Sequence, residues 1–411
     1  MRTKKFITGS ICLITLSLLT SLIPIKPVSA VTAADWRAGR IIDDYVFTNK
    51  NSMSVSQVQL FLNSQLSTCD TGGTELVYDK NQGDTVPRST YGSRRGNPAP
   101  FTCLKDYYEV PKTAPGPGLP ASNYGGQPIP SGAKSAAQII WEAAQEYDIS
   151  PQVLLVTLQK EQGLVYDNWP FKKQFLYAMG AYCPDGAFGA NCNENYASFS
   201  LQMREGASLF RYYLDNMQQS WWSNKKPYQN NNILWQVLEK NGVATNCGGS
   251  TVYLENKATT ALYVYTPYQP NQAALSNMLG EGDYCSAYGN RNFWRQFSDW
   301  FGSTQLRPGE CDSKVSGITC VWTITKTDGS QFLTSSKAEV DLTTTTYGWM
   351  FEGVAFYASK TERVGTTATY RFQHLATGRY YYTVNPTDAT ISGNPSAWAN
   401  EGIAFYVYPS S

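Results

Sequence analysis

Hydrophobic and polar positions follow a helical period through the middle of the chain. Between residues 134 and 303, apolar side chains recur three and four positions apart, which predicts a mainly helical region. Ser135 is placed to cap one helix, and Ser150 with Pro151 begins a second helix that Gly163 ends. Further helices are predicted over residues 196–216, 233–239, 256–265, 271–279 and 292–301.

Residues 310–411 follow a different pattern, in which aromatic and polar positions alternate between turn residues. Such alternation is typical of β-strands, and here the whole pattern occurs twice. The positions that recur at one fixed interval include Gly329 with Gly378, Phe332 with Tyr381, Trp349 with Trp398, and the motif EGVAFYA with EGIAFYV. The sequence therefore predicts a β-rich module made of two copies.

Two further segments precede the helical region. Residues 31–112 mix short helical and extended signals, among them a capping box formed by Ser54 and Gln57. Residues 113–133 are rich in proline and glycine, which indicates a surface loop or linker. We therefore expect an α+β multidomain protein, with the segment at 31–112 packed on a helical domain at 134–304.

Residues 1–30 have the features of a signal peptide. Basic residues precede a long uncharged apolar stretch, and Val-Ser-Ala at positions 28–30 forms a cleavage site. The apolar run could also span a membrane, but Pro24 and Pro27 just before the cleavage site favour its removal. The mature protein is expected to be secreted, either extracellular or associated with a cell wall, and to have no membrane segment.

Eight cysteines follow the signal peptide, and an even number in an exported chain indicates disulfides. They fall into four consecutive couples, which predicts the bonds Cys69–Cys103, Cys183–Cys192, Cys247–Cys285 and Cys311–Cys320. The couples lack the close spacing of zinc ligands, and His374 is the only histidine. No metal site is predicted.

Composition narrows the chemistry that the chain can perform. Charged residues make up 16% of it and the formal net charge is +1, so the chain has no basic footprint for nucleic acid. Aromatic residues make up 14%, and they serve equally for stacking on sugars and for core packing. The single histidine lies far from the helical region, whereas Ser-His-Asp and Cys-His catalysis both need a histidine base. The remaining possibilities are catalysis by carboxylates or no catalysis at all. No cofactor is expected.

Glu161 is the leading candidate for a catalytic group. It shares one face of its helix with Leu154 and Leu158, and that face is expected to be buried. The carboxyl also lies in the final turn, where the negative end of the helix dipole opposes a negative charge. Both surroundings favour the protonated form, which a glycosidase general acid needs. The alternative from spacing alone is an ordinary solvated glutamate near a helix end.

Residues 134–303 resemble the lysozyme-like muramidases and lytic transglycosylases. In that superfamily a helical pair ends on the catalytic acid, and the stretch SAAQIIWEAAQEYDISPQVLLVTLQKEQGL is similar to it, with Glu161 in the acid's position. Gln162 stands where those proteins usually have serine, which indicates a relative of the common form. Residues 196–214 look like the later core helix behind the sugar groove. The resemblance implies cleavage of β-1,4-linked N-acetylated glycans, with peptidoglycan or another cell-surface glycan as the partner.

Two further resemblances concern residues 35–304 and the C-terminal module. Residues 35–304 are similar to exported bacterial proteins of poorly defined role. The two C-terminal copies resemble a short repeat appended to secreted bacterial hydrolases, which implies binding to sugar or to the cell wall. A spacer or adhesive module is the alternative.

Other site residues follow from the glycosidase hypothesis. Retaining and inverting enzymes place a second carboxylate about 5 Å or about 6.5–9.5 Å from the first, and the candidates for it are Asp185, Glu194 and Glu205. Lytic transglycosylases need one acid only, so hydrolase and transglycosylase mechanisms both stay open. The candidates for stacking on sugars, with core packing as the alternative, are Trp169, Tyr196, Trp221, Trp222 and Tyr228. Because adjacent helical residues cannot both face one core, one tryptophan of the pair 221–222 is expected to meet solvent or ligand.

Two functions therefore remain. The first is a secreted glycosidase (muramidase, glucosaminidase or lytic transglycosylase) with Glu161 as general acid. The second is a non-catalytic adhesin or carbohydrate-binding protein that keeps a lysozyme-like scaffold, which the missing second acid and Gln162 favour.

Overall fold

The computed structural model describes residues 31–183, 192–240, 243–305, 311 and 317–408. The predicted signal peptide and Asp185 lie outside the described residues. Across these ranges, no helix has both the length and the apolar character needed to cross a membrane. Helices and strands are both abundant, so the predicted α+β class is confirmed.

The part of the chain up to residue 305 contains helices joined by short hairpins. Its helices are α1 (Asp44–Thr48), α2 (Val55–Gln65), α3 (Arg88–Ser93), α4 (Ala136–Glu146), α5 (Pro151–Gln162), α6 (Lys172–Leu176), α7 (Phe199–Asn216), α8 (Lys257–Tyr265), α9 (Gln272–Ser276) and α10 (Gly289–Phe301). Its strands are β1 (Leu76–Asp79), β2 (Asp84–Pro87), β3 (Tyr108–Glu109), β4 (Lys134–Ser135), β5 (Gln229–Leu234), β6 (Val237–Lys240), β7 (Val243–Asn246) and β8 (Gly249–Leu254).

One hydrophobic core joins the N-terminal segment to the helices that follow it. Ile41 and Phe47 are fully buried in the same cluster as Leu154 and Phe297. Burying an apolar side chain of this size stabilises the fold by roughly 1.5–3 kcal/mol. Helix α4 packs on α2 and α7, and α5 packs on α10. The segment at 31–112 is therefore part of the same packed body as α4 to α10.

Helix α5 has the boundaries that its sequence predicts. The Ser150 hydroxyl accepts a hydrogen bond from the Gln152 N–H, and Pro151 occupies the first turn. Gly163 ends the helix with a φ of 70°, a conformation that glycine adopts without steric cost. The buried residues of α5 run from 151 to 158, so its last turn emerges from the core.

The helix predicted at 233–239 is wrong. Residues 229–234 form β5, which pairs antiparallel with β8, and residues 237–240 form β6, which pairs with β7. Ile233 lies opposite Ser250 and is fully buried, and the Gln269 amide donates a hydrogen bond to its carbonyl. The apolar spacing fits a helix equally well, but these long-range partners satisfy the backbone as a strand.

The C-terminal module contains one six-stranded antiparallel sheet. Its elements are β9 (Ile318–Thr325), β10 (Gln331–Thr334), α11 (Lys337–Thr345), β11 (Met350–Ser359), β12 (Thr367–His374), β13 (Tyr380–Thr383), α12 (Ala389–Ser392) and β14 (Trp398–Val407). The strand order is β10-β9-β11-β14-β12-β13. Each sequence copy therefore forms three strands and a helix, and the copies meet where β11 pairs with β14. Helices α11 and α12 are additions to the β-rich prediction.

The sheet curls until its two edge strands meet. The Tyr382 hydroxyl of β13 accepts a hydrogen bond from the Leu333 N–H of β10 at 2.8 Å and donates one to the Leu333 carbonyl at 2.7 Å. Arg371 on β12 reaches Glu339 on α11 with both terminal nitrogens, at 2.7 and 3.0 Å. Its Nε donates to Glu401 at 2.6 Å, so one guanidinium holds carboxylates from both copies.

Disulfides close loops in both parts of the chain. The four predicted couples are all confirmed, as Cys69–Cys103, Cys183–Cys192, Cys247–Cys285 and Cys311–Cys320. Such bonds are consistent with an oxidising, extracellular environment.

The module contacts the helical body through Tyr45. A Cβ added to Gly353 on β11 would lie 2.7 Å from the Tyr45 ring, so only a glycine accommodates this contact. Beside it lies a cavity of about 260 Å³ whose lining includes Asp44, Tyr228 and Glu352.

Candidate active site

Glu161 lies in the last turn of α5, where its side chain is 27% exposed. The Lys160 ammonium is 2.8 Å from Glu161 Oε1 and donates a hydrogen bond to Thr266 Oγ1 at 2.7 Å. The same ammonium lies 5.1 Å from the centre of the Tyr265 ring. The expectation of a buried carboxyl among apolar neighbours is therefore wrong, because the buried face of α5 ends at Leu158 and a cation adjoins the carboxylate.

The loop at residues 177–183 forms the surface opposite Glu161. A Cβ added to Gly180, which has a φ of 67°, would lie 3.8 Å from Glu161 Oε2. The Tyr265 hydroxyl donates to the Met179 carbonyl. Burial raises the pKa of Tyr265, and the nearby charge of Glu161 adds to that effect. Tyr265 therefore stays a neutral hydroxyl that ties this loop to α8.

A buried glutamine on α7 fixes the same loop. Gln202 Oε1 accepts hydrogen bonds from the N–H groups of Met179 at 3.3 Å and Ala181 at 3.1 Å. Its Nε2 donates to the Ala181 carbonyl at 2.9 Å. The side chain is fully buried, so these bonds are shielded from water. The backbone facing Glu161 is thereby held on both sides of Gly180.

Two tyrosines and a second glutamate continue from this loop. Tyr182 stacks on Tyr196 with ring centres 3.7 Å apart, and its hydroxyl contacts the Glu205 carboxyl. Burial raises the pKa of Tyr182 to about 12, and burial also raises the pKa of Glu205. Because Tyr182 and Gly180 belong to one loop, Glu205 is joined to the Glu161 site through that loop.

The structure describes one of the other two candidate second acids. Asp185 lies outside the described residues, and Glu194 is exposed on the short 3-10 turn at residues 194–196. Burial raises the pKa of Tyr177 in the loop facing Glu161, and the nearby charge of Glu194 adds to that effect. Glu194 and Glu205 therefore both neighbour this loop, and Glu205 contacts it directly through the Tyr182 hydroxyl.

Trp169 and the tryptophan pair lie in other surroundings. Trp169 packs against Phe101 and Phe171, with the Arg88 guanidinium 4.8 Å from its ring centre, which is the core-packing alternative. Trp221 is 59% exposed whereas Trp222 is buried, as expected for adjacent residues that cannot both face one core.

Tyr228 lines the cavity beside Gly353 rather than the Glu161 site. Burial raises the pKa of Tyr228 to about 12, and the charges of Asp44 and Glu352 contribute. Among the stacking candidates, Tyr196 is therefore the one that the structure brings to the loop opposite Glu161.

Sequence reasoning missed a buried carboxylate that positions α7. Glu109 accepts hydrogen bonds from the N–H groups of Phe199 at 3.2 Å and Ser200 at 2.9 Å, at the start of that helix. The hydroxyls of Tyr107 and Ser200 donate to it at 2.7 and 2.6 Å. A carboxylate at a helix N-terminus satisfies donors that would otherwise lack partners. Glu109 thus orients the helix that carries Gln202 and Glu205.

The described residues contain no group of three or more histidine, cysteine, aspartate or glutamate side chains suited to a metal ion. The arrangement around Glu161 is therefore one of carboxyl, ammonium and tyrosine groups.

Comparison with known proteins bears on the module alone. Residues 319–411 match the model of a family described as a domain of unknown function (DUF5648). This match begins within β9 and covers both copies of the repeat. No curated protein and no solved structure matches the chain.

Proposed function

We propose that the protein is a secreted enzyme that cleaves β-1,4-linked N-acetylated glycans, with peptidoglycan as its substrate. In this proposal residues 134–304 form a lysozyme-like domain and Glu161 is the general acid. The observation that carries it is the position of Glu161 at the end of a buried helix, partly exposed, opposite the loop that Gln202 holds. A general acid needs this combination of access and fixed surroundings.

Each neighbouring group has a role in this chemistry. Glu161 protonates the glycosidic oxygen and becomes a carboxylate, which the Lys160 ammonium at 2.8 Å stabilises. The stacked rings of Tyr182 and Tyr196 offer an aromatic surface for a sugar. Glu205 is the candidate for a second carboxyl, whereas a transglycosylase would use a hydroxyl of the substrate instead.

One observation favours the alternative, a carbohydrate-binding adhesin without turnover. Glu161 already forms an ion pair with Lys160. A carboxylate in such a pair can accept hydrogen bonds from sugar hydroxyls, so it can bind a glycan as well as take part in catalysis. The two functions share the same surface and differ in whether a bond is broken.

A cleavage assay separates the two functions. The mature chain from residue 31, with its disulfides formed, is incubated with purified peptidoglycan, and the released fragments are identified by mass spectrometry. We expect fragments from the wild type and none from Glu161→Gln. Anhydro ends would identify a lytic transglycosylase, and reducing ends a hydrolase.

The chain supplies a matched control for this assay. Glu142 forms a similar ion pair with Lys134, at 2.7 Å, away from the Glu161 loop. Glu142→Gln should cleave like the wild type. Retention of the wild type on peptidoglycan without any cleavage would establish the adhesin function instead.

We further propose that the C-terminal module binds the cell wall. Its large exposed side chains include Tyr347, Tyr357 and Tyr408, whose flat faces suit sugar rings. Sedimentation of the mature chain with intact walls, compared with a variant that carries alanine at these three positions, tests this role. Equal sedimentation would assign the module to spacing or adhesion.

A further inference from the structure

A second cavity lies beside Lys160, the ion-pair partner of Glu161. It has a volume of about 160 Å³ and lies between the end of α5 and helix α10. Its lining residues are Gln159, Lys160, Asn292, Arg295 and Gln296. Because Lys160 is also the ion-pair partner of Glu161, the cavity is one side chain away from the candidate acid.

Two of the three amide groups at this cavity have already used their oxygens, whereas the third, Gln296, donates from its Nε2 to the Tyr166 hydroxyl at 3.0 Å. Gln159 Oε1 accepts hydrogen bonds from the N–H groups of Val165 at 3.0 Å and Tyr166 at 3.2 Å. Asn292 Oδ1 accepts two from the Arg291 guanidinium, at 3.1 and 2.9 Å. The amides of Gln159 and Asn292 therefore each have an NH₂ group left to donate. This part of the lining thus offers donors, and a complementary ligand must supply acceptors.

Arg295 has donors to spare as well. Its Nη1 donates to Asp299 at 2.8 Å, while its Nε is buried and has no acceptor among the described residues. A buried N–H without an acceptor is unfavourable, so an acceptor brought by a ligand would relieve that cost. Elsewhere in the protein the Nε and Nη2 edge of Arg40 holds the Asp43 carboxylate, at 2.6 and 2.9 Å. Arginine recognises carboxylates in this two-bond manner.

The charges around the cavity are positive in excess. Lys160 and Arg295 are balanced by Glu161 and Asp299, whereas Arg291 forms no ion pair within the described ranges. Burial lowers the pKa of Arg291, and the charge of Arg295 lowers it further. Arg291 does not line the cavity, because its Nη1 donates to the carbonyls of Ala274, Asn277 and Gly280. Its charge nevertheless lies beside Asn292 without an ion-pair partner among the described residues, which favours an anionic ligand.

We infer that this cavity binds the carboxylate of an acidic sugar residue next to the bond that Glu161 cleaves. This inference rests on the proposed function, which identifies the ligand as a glycan. The substrate class is then a glycan with free sugar carboxylates, such as strands whose N-acetylmuramic acid lacks a peptide. A neutral glycan offers the donors of Arg295 and Asn292 only hydroxyl and carbonyl oxygens, which accept weaker hydrogen bonds than a carboxylate does.

A pair of matched ligands tests the inference on the mature chain. One is the disaccharide of N-acetylglucosamine and N-acetylmuramic acid, and the other is the same disaccharide with its carboxylate converted to a carboxamide. Dissociation constants are measured by ligand-detected NMR. A charge-assisted bond should make the acid bind about tenfold more tightly than the amide. Equal binding, or no binding of either, would overturn the inference.

Two arginine variants make the test specific. Arg295→Met should bring the binding of the acid down to that of the amide. Arg211→Met is the matched control, because Arg211 forms the same type of helical ion pair with Asp215, at 2.5 Å on α7. Asn292→Leu provides a second lining variant if Arg295→Met fails to fold, and it should weaken the acid alone. Unchanged preference in the lining variants would place the carboxylate elsewhere and reject the assignment.

The peptidoglycan assay distinguishes the two proposals. Cleavage by the wild type together with equal binding of acid and amide would reject the carboxylate site and leave the enzyme intact. Preference for the acid without any cleavage would reject the enzyme and leave a binding site for acidic sugars.

Discussion

Gly180 lies directly opposite Glu161, so that a methyl group on Gly180 would stand 3.8 Å from the carboxyl oxygen Oε2. Gly180 therefore combines a backbone conformation that favours glycine with unobstructed access to the Glu161 carboxyl. The φ of 67° favours glycine at this position, and the missing side chain leaves the carboxyl reachable from the loop side.

Gly180→Ala should therefore impair both stability and cleavage. An alanine at positive φ destabilises the fold by about 1 kcal/mol, and the added methyl should reduce cleavage about tenfold or more by obstructing the substrate. Denaturant unfolding and the peptidoglycan assay measure the two effects. Gly83→Ala is the control, because Gly83 has a φ of 72° with no atom within 4 Å. It should lose similar stability and no activity, and equal activity in both variants would contradict the obstruction.

Gln202→Leu should destabilise the protein by about 3 kcal/mol, because each buried backbone group that loses its partner costs about 1–3 kcal/mol. The loop at 177–183 should also become mobile, since Gln202 bonds both Met179 and Ala181. Denaturant unfolding and amide hydrogen exchange at Ala181 check this prediction. Gln145→Leu, on α4, is a comparison in which a single hydrogen bond to Lys50 is lost. Equal destabilisation by the two changes would show that the hydrogen bonds of Gln202 to the loop stabilise the protein no more than the single bond of Gln145 does.

Acid should weaken the β1–β2 hairpin through Asp79. The guanidiniums of Arg95 and Arg94 hold the pKa of Asp79 well below its usual value. Because the folded pKa is lowered, this stabilisation is fully present above the unfolded value of about 3.9 and is lost as the pH falls through the folded pKa. Asp79→Asn should therefore be less stable than the wild type at neutral pH, and the difference should shrink below about pH 4. Thermal unfolding across pH measures this, and a difference that stays constant with pH would refute the electrostatic cause.

Tyr382→Phe should loosen the closure of the C-terminal sheet. Its hydroxyl makes two hydrogen bonds to the Leu333 backbone, and losing them should destabilise the module by about 2 kcal/mol. Hydrogen exchange at the Leu333 amide should accelerate accordingly. Tyr408→Phe is the control, since Tyr408 is exposed on the same module. Unchanged protection of Leu333 would mean that the edge strands hold together without this bridge.

Local signals in the sequence predicted much of the fold. The caps at Ser54, Ser135 and Ser150 begin helices where expected, because each is made within a few residues. The four cysteine couples follow from pairing consecutive cysteines along the chain, and the two-copy module follows from a fixed repeat. Strand β5 did not, since it pairs with β8 beyond the intervening hairpin of β6 and β7. The local hairpin of β6 and β7 was missed because its apolar spacing also fits a helix.

The surroundings of Glu161 depend on similarly distant partners. Its position at the end of α5 follows from Gly163, a local signal. Gln202 and Tyr265, which hold the facing loop, come from other helices, and Glu109 reaches α7 across about ninety positions. The apolar spacing within one segment does not predict such contacts between segments. The sequence did not predict the ion pair with Lys160 either, because helix phase alone does not show where the buried face of α5 ends.

The contact between Tyr45 and Gly353 gives the two copies of the module different surroundings. Gly402, the counterpart of Gly353, also has a positive φ of 86°, yet no described atom lies near its Cβ position. Val354 is 3% exposed beside Tyr45, whereas its counterpart Ile403 is 46% exposed. The same repeated motif therefore has two different surroundings. In one copy it packs against Tyr45 of the helical body, and in the other copy it faces outward.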